Sequence, residues 1–276
     1  MNGLVWSELA RVLPATAGAA LIVLLVTYAR ALAKGVHRIV DVAWGLAFTA
    51  VAVVTYLLSA DEGGDHWRRL LLTACTALWG LRLAAHIARR GSRHGGREDP
   101  RYARLLSRAP GNQALYALWK VYLAQAALVW LVSLPVQAGQ YVPAPVGPVA
   151  LAGVVLWATG LFFEAVGDAQ LARFQADSAN RGRIMDRGLW AWTRHPNYFG
   201  DCCVWWGLFL LAAGSWSVAG ATVIAPLVMT ALLTVGSGKR LLERDLADRP
   251  GFAEYAARTS GFLPLPPRRG RPPRTG

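Results

Sequence analysis

Residues Val12–Ala29 read VLPATAGAALIVLLVTYA, a run of 18 residues without a charged side chain. A helix needs about 20 predominantly apolar residues to cross the hydrocarbon core of a bilayer. Six further runs of this kind follow, at Ile39–Ser59, Leu70–Ile87, Ala114–Val136, Val149–Ala172, Phe199–Ala213 and Val218–Val235. The pattern predicts an all-α fold, a polytopic membrane helix bundle with about seven transmembrane helices.

Composition supports this fold class. Of the 276 residues, 54% are hydrophobic and 16% are charged, whereas a soluble domain carries about 25% charged residues. The formal net charge of +13 resides mainly in loops between the apolar runs, so we interpret it as a sign of topology and not of nucleic-acid binding. The cysteines Cys75, Cys202 and Cys203 lack disulfide or metal-site spacing and are predicted to pack within helices.

The basic residues predict the orientation of the chain. Only three of the 29, Arg11, Arg68 and Arg69, fall in loops on the side of the N-terminus. Because cytoplasmic loops carry the excess of Lys and Arg, we expect the N-terminus outside and the C-terminus in the cytoplasm of a multi-pass inner-membrane protein. Residues 1–263 are predicted to form one transmembrane domain, and the Pro/Arg-rich residues 264–276 a disordered tail. No obligate protein partner is expected.

Charged and titratable side chains within the spans are costly and therefore candidates for function. Seven lie within about two turns of the predicted cytoplasmic boundary: Asp41, Arg82, His86, Lys120, Glu164, Asp168 and Asp201. A single polar cavity open to the cytosol would explain them together. Alternatives remain for individual residues: Asp41 could cap a helix or form an ion pair instead of donating a proton. Glu164 and Asp168, four residues apart on one helix face, could pair with arginines instead of a ligand.

The most distinctive segment is Trp192–Asp201, WTRHPNYFGD, in the long predicted cytoplasmic loop Arg173–Tyr198 and the start of the span that follows it. Pro196 is suited to the first turn of a helix, so Arg194, His195 and Asn197 would converge at a helix N-terminus, where anions are favoured. The segment therefore predicts a phosphate- or carboxylate-binding corner. The alternative is an interfacial belt of Trp and Tyr rings, which leaves Asn197 and Asp201 unexplained.

The arrangement RHPNYFGD followed by WWG resembles the C-terminal domain of the steroid 5α-reductase superfamily, and most of all its bacterial branch of uncharacterised integral membrane proteins. Further stretches agree with that branch: DVAWGLAF (41–48), WGLRLAAHIARR (79–90), EDPRYARL (98–105), FFEAVGDAQLARF (162–174) and RPGFAEYAARTSGFLPLPP (249–267). The resemblance covers nearly the whole chain in order. RHPxYxG also occurs in sterol reductases and isoprenylcysteine carboxyl methyltransferases, so the motif does not define the substrate.

The resemblance implies a seven-helix enzyme that binds NADPH from the cytosolic side, with residues 162–263 as the cofactor-binding half. The cofactor-binding residues it implies are Glu164, Asp168, Arg194, His195, Asn197, Tyr198, Asp201, Lys239, Arg240, Glu243 and Arg244. Asp201 stands where the reductases carry Glu. Asp41 is the nearest match to the catalytic acid, and His86 is the second catalytic candidate. No tyrosine matches the catalytic tyrosine of the steroid enzymes.

Three functions are consistent with these features. The first is an NADPH-dependent reductase that acts on a carbon–carbon double bond of a lipophilic steroid-like, enone or enoyl substrate. The second is an S-adenosylmethionine-dependent methyltransferase acting on a lipid or prenyl group. The third is a non-enzymatic membrane protein that binds lipids. The density of predicted cytosolic arginines favours NADPH, because that cofactor carries several phosphate charges whereas S-adenosylmethionine carries none.

Overall fold

The apolar runs of the sequence form long helices in the computed structural model, which describes residues 2–92, 98–236 and 238–268. These residues contain no β-strand, which confirms the all-α fold class. The helices are α1 (Asn2–Lys34), α2 (Val40–Leu58), α3 (His66–Ser92), α4 (Pro100–Leu106), α5 (Gln113–Ala117), α6 (Ala124–Val132), α7 (Leu134–Gly139), α8 (Pro148–Ala176), α9 (Leu189–Trp192), α10 (Pro196–Ala212), α11 (Trp216–Thr222), α12 (Ile224–Thr234), α13 (Lys239–Leu246) and α14 (Phe252–Arg258).

Six described helical segments are long and apolar enough to cross a membrane. They are Trp6–Lys34, His37–Leu58, His66–Ser92, Gln113–Val132, Pro148–Ala176 and Trp216–Leu246. The span predicted at Phe199–Ala213 corresponds to α10, whose 17 residues stand at the lower limit for a transmembrane helix. The chain is thus a multi-pass membrane protein, with six long helices and one short helix where the sequence predicts seven spans.

The chain divides into two compact units. The first unit comprises Met1–Gly153 and Leu208–Ala225, and the second comprises Val154–Gly207 and Pro226–Gly276. In the first unit, α2 and α3 form an antiparallel pair that crosses at Gly45 and Gly80, where a Cβ on either glycine would clash with the carbonyl oxygen of the other. The rings of Phe48 and Trp79 pack edge to face beside this crossing, with centroids 5.6 Å apart.

Two buried arginines bind backbone carbonyl oxygens of helix ends and of a loop in the first unit. Arg68, 2% exposed, donates from Nη2 to the carbonyl oxygens of Ala144 (3.2 Å) and Pro145 (3.1 Å), and from Nη1 to that of Leu211. Arg69 donates from Nη2 to the carbonyl oxygen of Tyr56 at 2.8 Å. Leu211 and Tyr56 lie in the last turns of α10 and α2, where carbonyl oxygens lack intrahelical partners and carry partial negative charge. Ala144 and Pro145 lie in the loop between α7 and α8, so Arg68 fastens this loop to the end of α10.

Replacement of Arg68 by methionine is expected to lower the free energy of unfolding by about 3 kcal/mol, because three carbonyl oxygens lose a buried donor at once. The midpoint of thermal unfolding in detergent would fall by several degrees. Arg11→Met is the matched control, since the Arg11 side chain is 73% exposed and, among the described residues, pairs only with Glu8 one turn away. Equal midpoints for the two variants would contradict this role of Arg68.

In the second unit, α8 and α10 cross at Gly160 and Gly200. A Cβ on Gly200 would lie 2.5 Å from the carbonyl oxygen of Gly160 and 2.8 Å from the backbone nitrogen of Glu164, so the two helix backbones touch. Cys202 and Cys203 follow on α10, buried and unbridged, and Cys75 is likewise buried and unbridged in the first unit. This confirms the predicted packing role of the cysteines.

Candidate functional site

The segment WTRHPNYFGD lies against the C-terminal segment of the chain. Pro196 begins α10, as predicted. Ahead of it, the backbone nitrogen of Arg194 donates to the carbonyl oxygen of Ser260 (2.9 Å), and Thr193 Oγ1 donates to that of Phe262 (2.8 Å). Leu265 N also donates to Trp192 O at 3.0 Å. We call residues 259–268 the C-terminal strap. It includes residues 264–268, which the sequence assigns to a disordered tail, and residues 269–276 lie outside the described part.

Arg194 and His195 both bind the carboxylate of Glu243. Arg194 Nε donates to Glu243 Oε1 at 2.8 Å, and His195 Nε2 lies 2.9 Å from the same oxygen. Arg194 Nη1 also donates to the carbonyl oxygens of Ala256 (3.0 Å) and Thr259 (2.8 Å). Two of the three guanidinium nitrogens are therefore committed to protein acceptors. These contacts link the N-terminus of α10 to α13, α14 and the strap.

His195 is buried, which favours the neutral form of its imidazole. Burial lowers the pKa of His195 most, the nearby cations Arg194 and Lys239 lower it further, and Glu243 opposes the shift. A neutral imidazole beside a carboxylate carries its proton on the nitrogen that faces it, here Nε2. Its other nitrogen, Nδ1, is also buried and makes no hydrogen bond with a described residue. The ring stacks on Tyr198, with centroids 5.3 Å apart. The lowered pKa makes His195 a weaker source of positive charge at the predicted anion-binding corner than Arg194.

The predicted acid pair lies on the face of α8 that contacts α10. Glu164 and Asp168 are 2% and 8% exposed. A Cβ on Gly200 would lie 2.8 Å from Glu164 Cγ, so this side chain lies directly against α10. Asn197 is half-buried in the first turn of α10, where its Oδ1 accepts from Tyr198 N at 3.1 Å. Asp201, one turn further along α10, is half-buried.

The structure separates the basic residues that follow the last apolar run. Lys239 is half-buried and turns towards the strap: a Cβ on Gly261 would lie 2.7 Å from Lys239 Nζ and 3.1 Å from Arg194 Nη2. Arg240 and Arg244 are exposed on α13. Lys239 Nζ and Arg194 Nη2 thus lie close to Gly261. Arg240 and Arg244 instead face away from the protein interior.

A cleft of about 780 Å³ opens in the second unit between the loop before α9 and α14. Phe174 and Tyr255 contribute aromatic rings to its lining, and Arg183 and Arg187 contribute cations. The side chains of these two arginines form no hydrogen bond or ion pair with a described residue, whereas Arg258 on the same cleft pairs with Asp186. Sequence reasoning marks the loop as functional but does not single out Arg183 or Arg187, because many arginines occur in the predicted cytoplasmic loops.

In the first unit, Asp41 is held by residues of α4. Tyr102 Oη donates to Asp41 Oδ1 at 2.5 Å, and Arg101 Nη2 donates to Oδ2 at 3.1 Å. The N-cap of α2 is Ile39, so Asp41 does not cap this helix. Asp41 forms an ion pair with Arg101, which is the other alternative that the sequence left open. The backbone nitrogens of His37 and Arg38, which precede α2, are instead bound by the carboxylate of Glu98.

Tyr102 is the residue that sequence reasoning missed. Burial raises the pKa of Tyr102 well above its usual range, and the negative charge of Asp41 raises it further. The phenol therefore keeps its proton and directs it at a carboxylate. The sequence gives no local signal for this pair, because Tyr102 and Asp41 are far apart in the chain and meet only through the packing of α4 on α2.

The remaining predicted site residues, Arg82, His86 and Lys120, lie on helical segments of the first unit. His86 and Arg82 are half-buried on α3, and Lys120 is exposed in a π-helical turn between α5 and α6. Since α2 and α3 are antiparallel and cross at Gly45 and Gly80, His86 lies towards the same end of this pair as Asp41. Of the seven charged side chains predicted to share one cavity, Asp41, Arg82, His86 and Lys120 belong to the first unit and Glu164, Asp168 and Asp201 to the second.

Comparison with known proteins identifies the relatives of this chain. Residues 27–259 match the family described as protein of unknown function DUF1295. The chain belongs to the DUF1295 family. DUF1295 proteins are steroid 5α-reductase-like, which confirms the resemblance at the level of the family.

An uncharacterized protein of Schizosaccharomyces pombe is 25% identical to this DUF1295 protein over 225 residues. The match covers 71% of this chain and 64% of the yeast protein, so the chain spans less than two thirds of the length of that relative. No solved structure shows a significant match.

Proposed function

We propose that this protein is an NADPH-dependent reductase of a carbon–carbon double bond in a lipophilic enone or enoyl substrate. The second unit would hold the cofactor, facing the cytoplasm from the inner membrane. The observation that carries the proposal is the cleft with Arg183 and Arg187, two cations without a partner among the described residues, next to the aromatic rings of Phe174 and Tyr255. Membership of a steroid reductase-like family supports the same reaction class.

The chemistry of the cleft favours a phosphorylated dinucleotide. Its volume of about 780 Å³ falls in the range of small-molecule and cofactor sites. Arginine presents a planar fork of donors that binds a phosphate through two hydrogen bonds, and an aromatic ring offers a face for an adenine base. S-adenosylmethionine carries a sulfonium, an ammonium and a single carboxylate but no phosphate, so a pair of arginines suits the several phosphate charges of NADPH better.

The methyltransferase alternative rests on a different observation, the buried carboxylates of Glu164 and Asp168. Carboxylates attract the sulfonium of S-adenosylmethionine. The same pair can accept hydrogen bonds from ribose hydroxyls or a carboxamide, which fits a nicotinamide nucleotide equally well. Glu164 and Asp168 therefore do not discriminate between the two cofactors, whereas the arginines do.

Reduction of a conjugated double bond needs a hydride at one carbon and a proton at the other. NADPH supplies the hydride when it is bound. In the first unit, Tyr102 is the group we assign to the carbonyl oxygen of an enone: its hydroxyl, which donates to Asp41 in the structure, would turn to donate to that oxygen and stabilise the enolate that forms when hydride adds. Water would then protonate the other carbon. Asp41 holds the hydroxyl before the substrate binds, and Arg101 holds the second carboxylate oxygen of Asp41 in place.

Binding of NADPH to the detergent-purified protein tests the proposal. The double variant Arg183→Gln/Arg187→Gln is expected to bind NADPH about ten- to a hundredfold more weakly, because two charge-assisted hydrogen bonds are lost. Arg181→Gln is the matched control, since Arg181 is exposed in the same loop but does not line the cleft. Asn197→Ala and Asp168→Ala should also weaken binding.

Titration calorimetry with NADPH and with S-adenosylmethionine separates the alternatives. If the protein binds S-adenosylmethionine and not NADPH, the reductase assignment is wrong and the methyltransferase alternative is supported. If neither nucleotide binds, both enzymatic functions are excluded and the non-enzymatic lipid-binding protein is the function that remains. If the Arg181 control and the double variant bind NADPH with equal affinity, the cleft is not the NADPH-binding site.

A further inference from the structure

An ion pair joins the two walls of the cleft in the second unit. Arg258 Nη2 on α14 donates to the carboxylate of Asp186 in the loop before α9, and both residues line the cleft together with Arg183 and Arg187. The side chains of Arg258 and Asp186 are 44% and 33% exposed. Ion pairs that are this accessible to water contribute little to stability. The position of this pair in the cleft therefore points to a role towards a ligand.

The walls of the cleft are held together by other contacts. Tyr255 Oη on α14 donates to the carbonyl oxygen of Trp190 on α9 at 2.7 Å, and this hydrogen bond is buried. The backbone nitrogen of Leu189, the first residue of α9, donates to Gln170 Oε1 on α8 at 3.0 Å. Loss of the ion pair should therefore change the charge of the cleft and preserve its shape.

A carboxylate in this cleft has opposite effects on the two nicotinamide dinucleotides. It can accept a hydrogen bond from the ribose 2′-hydroxyl of NADH, and it repels the 2′-phosphate that NADPH carries at the same position. Asp186 directly precedes Arg187 and follows Arg183 by three residues, so its charge opposes the cations of its own loop. Arg258 compensates this charge from the opposite wall.

The cleft contains a second carboxylate, that of Glu254. Among the described lining residues, Asp186 and Glu254 are the two acids. Glu254 and Arg258 are four residues apart on α14 and so share a face of this helix. Arg258 is therefore the cation that acts on both acids, whereas Arg183 and Arg187 are left for a ligand.

We propose that Arg258 makes the cleft selective for a nucleotide with a 2′-phosphate by neutralising Asp186. The inference rests on the proposed function, because it takes the ligand to be a nicotinamide dinucleotide. Arg183 and Arg187 would bind the 2′-phosphate through charge-assisted hydrogen bonds, with no uncompensated carboxylate in their own loop. Without Arg258, the carboxylate of Asp186 would favour the 2′-hydroxyl of NADH instead.

Adenosine 2′,5′-bisphosphate and 5′-AMP are the probes, since they differ only in the 2′-phosphate. Each is titrated calorimetrically into the detergent-purified protein, and the ratio of the two dissociation constants measures selectivity. The native protein should prefer the bisphosphate, and Arg258→Gln should lower this preference about ten- to a hundredfold, because Asp186 becomes an unpaired anion beside the phosphate. The double variant Asp186→Asn/Arg258→Gln should recover most of the preference, because no carboxylate is left in the loop to be neutralised.

Arg249→Gln is the matched control. It removes the same charge from an exposed residue near the start of α14 that does not line the cleft. The preference for the 2′-phosphate should change less than about twofold in this variant, because salt screens charges that lie outside the binding site.

The two variants of Arg258 separate selectivity from a structural role. A purely structural role would leave the double variant as impaired as Arg258→Gln, and that result would overturn the inference. An unchanged ratio in Arg258→Gln would also overturn it, as would a native protein that binds both probes equally or neither of them.

Hydride transfer from NADPH tests the proposed function separately. If the protein transfers hydride and the ratio is unchanged in Arg258→Gln, the reductase stands and the role of Arg258 is wrong. If the ratio changes as predicted and recovers in the double variant but no hydride is transferred, the selectivity of the cleft is supported and the reductase is wrong.

Discussion

Replacement of Tyr102 by phenylalanine is expected to lower the turnover number for double-bond reduction by about 10²- to 10⁴-fold, the usual contribution of a positioned proton donor. The variant keeps the ring and its packing and loses only the hydroxyl that donates to Asp41 at 2.5 Å. Because burial and the charge of Asp41 hold the pKa of this phenol far above its usual range, the native activity should not decline through ionisation of Tyr102 up to about pH 10. Asp41→Asn should reduce turnover in the same direction by misorienting the hydroxyl.

The measurement is NADPH oxidation by protein in nanodiscs with a lipophilic enone, for which cholest-4-en-3-one is a convenient probe. Tyr116→Phe is the matched control, since Tyr116 is half-buried on α5 and its hydroxyl is not paired with a carboxylate in the part of the chain that the structure describes. The dissociation constant for NADPH should be the same in Tyr102→Phe and the native protein, because Tyr102 is not among the proposed cofactor-binding residues. Native turnover in Tyr102→Phe would show that the Asp41–Tyr102 pair only fastens α4 to α2.

The second large effect is expected at the crossing of α8 and α10. A Cβ on Gly160 would overlap the carbonyl oxygen of Gly200 and lie 2.6 Å from the backbone nitrogen of Val204. Both are backbone atoms, so neither can rotate away, and the two helices would have to separate. Gly160→Ala is therefore expected to lower the free energy of unfolding by about 3 kcal/mol, at the upper end for overpacking. Displacement of Glu164, which lies against Gly200, should weaken ligand binding as well.

Gly18→Ala provides the contrasting variant. Gly18 is also within a long apolar helix, but no atom lies within 4 Å of its notional Cβ, so alanine should stabilise α1 by up to about 1 kcal/mol through helix propensity. Size-exclusion profiles and thermal unfolding in detergent would compare the two variants. A well-folded Gly160→Ala protein with an unchanged midpoint would contradict the close approach of α8 and α10.

Local patterns in the sequence were sufficient to predict the helices but not the partners of the site residues. Long apolar runs specify membrane helices, and Pro196 specifies the start of α10, because both depend on residues close together in the chain. The segment WTRHPNYFGD predicts that Arg194 and His195 lie at a helix N-terminus, which they do. That both bind Glu243 could not be predicted, since Glu243 is on a separate helix and has no distinctive neighbours.

The same reason explains what was missed. Asp41 was predicted as an acid because it is a charge in an apolar run, whereas Tyr102 is an ordinary polar residue of a loop until α4 packs beside α2. The role of a residue was predictable where a local pattern determines it and was not predictable where tertiary contacts determine it.

Transfer of hydride is the most direct test of the proposed function. The protein in nanodiscs would be incubated with NADPH deuterated at the transferable C4 position, with S-adenosylmethionine carrying a labelled methyl group and with a membrane-lipid extract, and the lipids analysed by mass spectrometry. We predict one deuterium on a carbon of a newly saturated lipid, greatly reduced with Asp41→Asn and with Arg183→Gln/Arg187→Gln. A lipid that gains no deuterium but takes up the labelled methyl group of S-adenosylmethionine would contradict the reductase and identify a methyltransferase.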